Sequence, residues 1–184
     1  MTPNDSNFPS RPAFPPLMNT AARQAVFGAF GFAPAPQPGN PEAIRILGDW
    51  EAQNIVKVEI PQLRGIEGLH RDGVIRWHRL CVEQLRALWA AWEKAGLLGL
   101  VQTYAGSYVP RFIRGSRSVL SNHAFGSAFD INAGWNPLGK TPPLAGRAGS
   151  VRELVPLANQ HGFYWGGHFA ARPDGMHFEI ARLL

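Results

Sequence analysis

Ser121-Asn122-His123-Ala124-Phe125-Gly126-Ser127-Ala128-Phe129-Asp130 sets a histidine and an aspartate on either side of a glycine. On one straight strand, side chains seven positions apart point to opposite faces, because strand side chains alternate with period two. For His123 and Asp130 to meet, the chain must turn between them, and Gly126 supplies that turn. Gly126 and Ala128 are also small enough to let other backbone or a ligand approach. The stretch therefore predicts His123 on a loop and Asp130 on a short strand, Ser127 to Asn132, pointing toward it.

A second stretch, Asp174-Gly175-Met176-His177-Phe178-Glu179, completes the pattern. Pro173-Asp174-Gly175 is a turn signal. It delivers His177 to the start of a strand over 176–181, with Glu179 on the same face and Phe178 and Ile180 on the other. Two histidines and one carboxylate leave a fourth tetrahedral position for water, as in catalytic rather than structural zinc sites. Zinc lowers the pKa of such a water to about 7. His123, Asp130 and His177 are the expected ligands of Zn2+. Asp174, three residues before His177, is the expected base, and Glu179 is the expected carboxylate orienting a ligand histidine.

The spacing and the Gly/Ala positions resemble zinc peptidases of the D-alanyl-D-alanine carboxypeptidase and L-alanoyl-D-glutamate endopeptidase family. That family includes VanY-type enzymes and many phage endolysins and shares its fold with the hedgehog signalling domain. Its Ser-x-His-x-x-Gly-x-Ala-x-Asp stretch reads here as Ser121, His123, Gly126, Ala128 and Asp130, with His177-Phe178-Glu179 as the late His-x-Glu. Asp174 matches the acidic residue before the second histidine, and Trp165-Gly166-Gly167 matches a Trp-Gly-Gly stretch of similar endopeptidases. The likeness covers roughly residues 70–181. It implies a peptidase acting on peptidoglycan stem peptides, of the endopeptidase type, with Ser121 beside Glu179 as support for the ligands. Where the family often has Ser-Gly-Tyr-Arg, this chain has Gly106-Ser107-Tyr108-Val109-Pro110-Arg111. The grip on a substrate carboxylate is expected from Arg111 or Arg114, with Arg117 third, and His168 is expected to contact substrate or stabilise an oxyanion.

Outward from these motifs, the 184 residues suit one domain, with 45% hydrophobic and 17% charged residues arguing against wholesale disorder. Nine of the 16 prolines lie in the first 41 residues, and proline lacks the N–H that helices and inner strands need. Residues 1–40 read as a Pro-rich arm that wraps the domain or stays mobile, with a short helix within 21–32; residues 41–184 read as the peptidase domain. The expected fold is α+β, a small antiparallel sheet with helices packed on one face and the zinc site at the sheet. Strands are expected over 55–60, 98–104 and 163–165. An amphipathic helix is expected over 73–95, carrying Trp77, Cys81, Leu85, Leu88 and Trp92 on one stripe. A second helix, 151–161, begins with a Ser150/Glu153 capping box and is expected to bend at Pro156.

Cys81 is the only cysteine, which excludes a disulfide framework and cysteine-based zinc sites; it reads as a buried, inert thiol. The net charge of +5 favours a polyanionic partner, but no lysine-rich run or nucleic-acid motif is present, so no nucleic acid is expected. No apolar run reaches the roughly 20 residues of a membrane span. Met1 to Asp5 lack a basic n-region, so no Sec signal is expected, and a wall substrate would need another route. A monomer is expected. His70 and His78 read as solvent-facing, His161 as a helix end, and Trp135 and Trp165 as core. The rival readings are a D-alanyl-D-alanine carboxypeptidase, a catalytically silent zinc module that binds wall or protein, and a basic nucleic-acid-binding domain.

Overall fold

In the computed structural model, which describes residues 7–184, Gly126 has φ 65°, and its carbonyl accepts a hydrogen bond from the His78 N–H at 2.8 Å. A Cβ at this position would meet Ile55 Cδ1 at 2.8 Å and His78 N at 3.1 Å, so glycine answers both a left-handed backbone and a close approach. Around this point the chain makes a 3-10 turn, Asn122–Phe125, and then strand β6, Ala128–Ile131. β6 lies inside a four-stranded antiparallel sheet in the order β5-β6-β8-β7, with β5 at Tyr104–Gly106, β7 at Phe163–Trp165 and β8 at His177–Ile180.

Register divides the sheet into two faces. Asp130 pairs with His177, Phe129 with Phe178, and Ala128 with Glu179. Phe129, Phe178 and Ile180 therefore point one way, toward helix α3, Val82–Lys94. Trp92 meets both Phe129 and Phe178 edge-on, and Trp89 lies 5.6 Å from Phe129. Helix α4, Val155–Gln160, packs against α3, and the Trp92 indole donates to the Leu154 carbonyl. The opposite face carries Asp130, His177 and Glu179. The α+β class is thus the observed architecture, with α3 and α4 on one face of the sheet and the cavity on the other.

The expected helix over 73–95 is a helix only in its second part. Val74–His78 is strand β4, paired with β3, Ile55–Glu59, and Arg79–Cys81 is a 3-10 turn. Ile75 and Trp77 point inward at period two, which mimics a helical stripe when Cys81 follows at the next turn. Likewise the expected strand 98–104 is a 3-10 turn, Leu98–Leu100, before β5. Pro156 does not bend a helix. It sits in the first turn of α4, where its missing N–H has no partner to lose.

Ahead of residue 40, helix α1, Thr20–Phe27, starts where the Asn19 side chain accepts the Ala22 N–H at 2.8 Å. Its Phe27 is buried against Phe125 and His78. β1, Gly31–Pro34, then pairs with β2, Ile44–Leu47, so a hairpin spans the expected boundary at 40. Helix α2, Trp50–Asn54, leads into β3. Among the described residues no helix is long and apolar enough to cross a membrane.

Candidate metal centre

Asp130 and His177 are brought together by their register across β6 and β8, and the 3-10 turn at Gly126 folds His123 back over them. Three donor atoms converge. His123 Nε2 lies 3.2 Å from Asp130 Oδ1 and 3.1 Å from His177 Nδ1, and His177 Nδ1 lies 2.9 Å from Asp130 Oδ1. Ligands about 2.0 Å from a tetrahedral zinc stand about 3.3 Å from each other, so this triangle has the dimensions of three corners of a zinc tetrahedron. His123, Asp130 and His177 are a group of the kind that holds a metal ion.

The remaining ring nitrogens decide which lone pairs face inward. The His123 Nδ1–H donates to the Ser107 carbonyl at 2.6 Å, leaving Nε2 as the acceptor. The His177 Nε2–H donates to Glu179 Oε2 at 2.9 Å, leaving Nδ1 toward the cluster. Such outer bonds fix tautomer and ring orientation in metal sites. Asn122 in turn donates its side-chain amide to the same Glu179 oxygen, and Ser121 Oγ accepts the His123 N–H. Ser127 hydrogen-bonds Asn122. Asn122 and the Ser107 carbonyl were not singled out by sequence, although Asn122 lies inside the motif.

The charges reinforce one another. Burial alone would push Asp130 up, but His123 and His177 outweigh it and hold the carboxyl well below its usual range. Burial pulls His177 down, yet without a metal ion hydrogen bonds to Asp130 and Glu179 prevail and raise it to about 10; a metal ion on Nδ1 would take the place of the proton shared with Asp130. Asp174 is raised by burial, against the pull of His177.

The site face opens into a cavity of about 570 Å³ lined by Asp174, His177, Glu179, Tyr164, Arg111 and His168, among others. Asp174 is held by its N–H to the Gly166 carbonyl at 2.9 Å, and its Oδ1 is buried without a partner among the described residues. Gly166 permits this approach, since a Cβ there would lie 2.5 Å from the Asp174 carbonyl oxygen. The next glycine, Gly167, packs on the Trp165 ring.

The arginines diverge. Residues 110–112 bridge to residues 42–44, which holds Arg111 at the cavity wall; burial lowers its pKa, and Asp130 and Asp174 are among the charges it senses. Arg114 also lines the cavity, but its guanidinium pairs with Glu42 at 2.7 Å and bonds Asn40. Arg117 is exposed and away from the lining. His168 lines the cavity with Nε2 2.8 Å from the Pro9 carbonyl.

Three readings are corrected. His78 is fully buried rather than solvent-facing: its Nδ1 accepts from the Leu80 N–H, and its Nε2–H donates to the Phe27 carbonyl at 3.2 Å. Trp135 is 41% exposed, not core. Cys81 is buried, with burial pushing its thiol up to about 12, but it ends a 3-10 turn instead of sitting within a helix.

A family model described as D-alanyl-D-alanine carboxypeptidase matches residues 114–180. The matched segment contains the three clustered donors together with Asp174 and Glu179, and it supports a relationship to that peptidase family and a hydrolase activity. No curated protein and no solved structure matches the chain.

Proposed function

We propose that the chain is a zinc metallopeptidase that hydrolyses the stem peptides of bacterial peptidoglycan, acting as an L-alanoyl-D-glutamate type endopeptidase. The observation that carries this reading is the triangle of His123, Asp130 and His177 beside a cavity into whose wall Asp174 is built, one of its carboxylate oxygens meeting no donor among the described residues. A zinc ion on those donors would supply Lewis acidity toward the scissile carbonyl and toward a water nucleophile. Asp174 takes the proton of the attacking water at its carboxylate and passes it to the leaving amine nitrogen. Glu179 and the Ser107 carbonyl hold the two imidazoles in the tautomers that present a lone pair inward. Arg111 offers a planar fork to a substrate carboxylate.

The description of the matching family names a carboxypeptidase, and one metal centre of this type serves both reactions. The Asp174-x-x-His177-x-Glu179 ending is what favours the endopeptidase. Mass spectrometry of purified peptidoglycan after digestion with zinc-loaded protein separates the readings. Scission between L-alanine and D-glutamate is the expected result. Loss of a single terminal D-alanine would move the assignment to the carboxypeptidase, and an unchanged spectrum would leave a silent zinc module.

A further inference from the structure

We propose that Arg23, on α1 ahead of the matched segment, is a carboxylate-binding residue of the cleft. The proposal deepens the peptidase reading and rests on it for the identity of the ligand, a peptide bearing free carboxylates.

Arg23 lines the same cavity as Asp174 and Glu179 and is only 5% exposed. Its Nη1 donates to the Leu120 carbonyl at 2.8 Å, one residue before the metal motif begins, which pins the guanidinium in place. Its Nε–H is buried and meets no acceptor among the described residues. A guanidinium withdrawn from water without a counter-anion is costly, and the cost is recovered only when an anion arrives. Glu179 is near enough to be felt but makes no ion pair with it: one oxygen is committed to His177 and Asn122, and the other is buried and meets no donor among the described residues. Arg114, by contrast, has its carboxylate in Glu42.

The surroundings favour an anionic guest over a neutral one. Arg11, Arg111 and Arg172 line the same cavity, each anchored through one bond to a backbone carbonyl and none in an ion pair among the described residues. A carbonyl anchor leaves the rest of the planar fork free and already oriented, so little entropy is lost on binding. Pro16, Leu17 and Met18 add an apolar wall beside them. Residues 11–23 thus contribute both charge and surface to the cleft. Among the described residues of this stretch, Arg23 is the cavity-facing cation that is deeply buried with a donor left over.

The test is binding, so it does not depend on turnover. Affinities are measured on zinc-loaded protein for a stem peptide with free carboxylates and for the same peptide with its carboxylates amidated. The wild type is expected to prefer the acid by tenfold or more. Arg23→Gln should lose at least tenfold for the acid while its affinity for the amide stays within about twofold, and Arg23→Lys should recover only part of the loss. Arg71→Gln, an exposed charge change, should behave as wild type. On the unmodified protein, the Nε–Hε resonance of Arg23 should shift with the acid and not with the amide. This readout holds even if the glutamine variant fails to fold.

Variants that lower the melting temperature yet discriminate acid from amide as wild type does, or an Arg23 resonance indifferent to the acid, would overturn the proposal and leave Arg23 a tie between α1 and Leu120. If the protein binds the acid through Arg23 but leaves peptidoglycan intact, the peptidase reading falls and this inference stands.

Discussion

Asp174 carries a buried carboxylate oxygen that no donor meets among the described residues, next to a turn glycine and three positions from a metal-ligand candidate. If it is the base, Asp174→Asn keeps the fold and the zinc, since it supplies none of the three converging donors, and loses roughly 10²–10⁴ in turnover. Steady-state rates beside metal analysis check this, and a near wild-type rate would shift the role to another carboxylate. Arg111 and Arg114 separate on the same logic. Arg114 is occupied by Glu42, so Arg111→Ala should cost about 2–4 kcal/mol in kcat/KM while Arg114→Ala costs markedly less. Equal losses would contradict that assignment. At this scale the motif residues could be read from the chain, because turn chemistry and strand parity place them without knowledge of distant contacts. Asn122, Arg23 and His78 could not, because their partners lie 57, 97 and 51 residues away.

Elements were legible where period and punctuation agreed. β6 and β8 alternate cleanly beside turn glycines, whereas β4 and α3 run together with only a 3-10 turn between them, and Trp77 and Cys81 fit either period. What separates the two elements is the junction at His78, which packs against α1 and takes the Gly126 carbonyl on its own N–H. His78 is neutral there by design of its bonds: one ring nitrogen accepts and the other donates. Burial, the largest influence, lowers its pKa to about 4. Because the unfolded imidazole titrates near 6.5, the unfolded chain binds more protons between those values. This contribution to stability is therefore complete above about pH 6.5 and is lost as pH falls toward 4, by roughly 2–4 kcal/mol. Denaturant midpoints at pH 7 and pH 4.5 should fall further for wild type than for His78→Gln. The metal ligands titrate in both chains and cancel, so an equal fall in both would remove His78 as the cause.

On the scale of the whole molecule, composition set a boundary at residue 40, yet proline is tolerated at the edge of a two-stranded sheet, and the β1–β2 hairpin crosses that point. No local signal reports such packing, since Phe27 and Phe30 find their partners at Phe125, far along the chain. The metal cluster is long-range in the same sense. Its donors come from a 3-10 turn, from β6 and from β8, and they converge only when the sheet is formed and Ser107, Asn122 and Glu179 are in place around them. An ion held by all three therefore binds the native state and stabilises it by mass action, by about 2.7 kcal/mol when free zinc stands at one hundred times its Kd. In a chain of this length each kcal/mol moves Tm by about 2–4 °C, so zinc should raise the midpoint by roughly 5–11 °C over chelator-treated protein. Loose binding of zinc by histidines of the unfolded chain trims the gain and does not change its sign. His177→Ala removes one corner of the triangle and the partner of both Asp130 and Glu179, and its Tm should be the same in zinc and in chelator. Calorimetry on the two chains measures both effects. A wild type that melts at one temperature in either condition would mean that the triangle holds no metal, and the peptidase reading would fall with it.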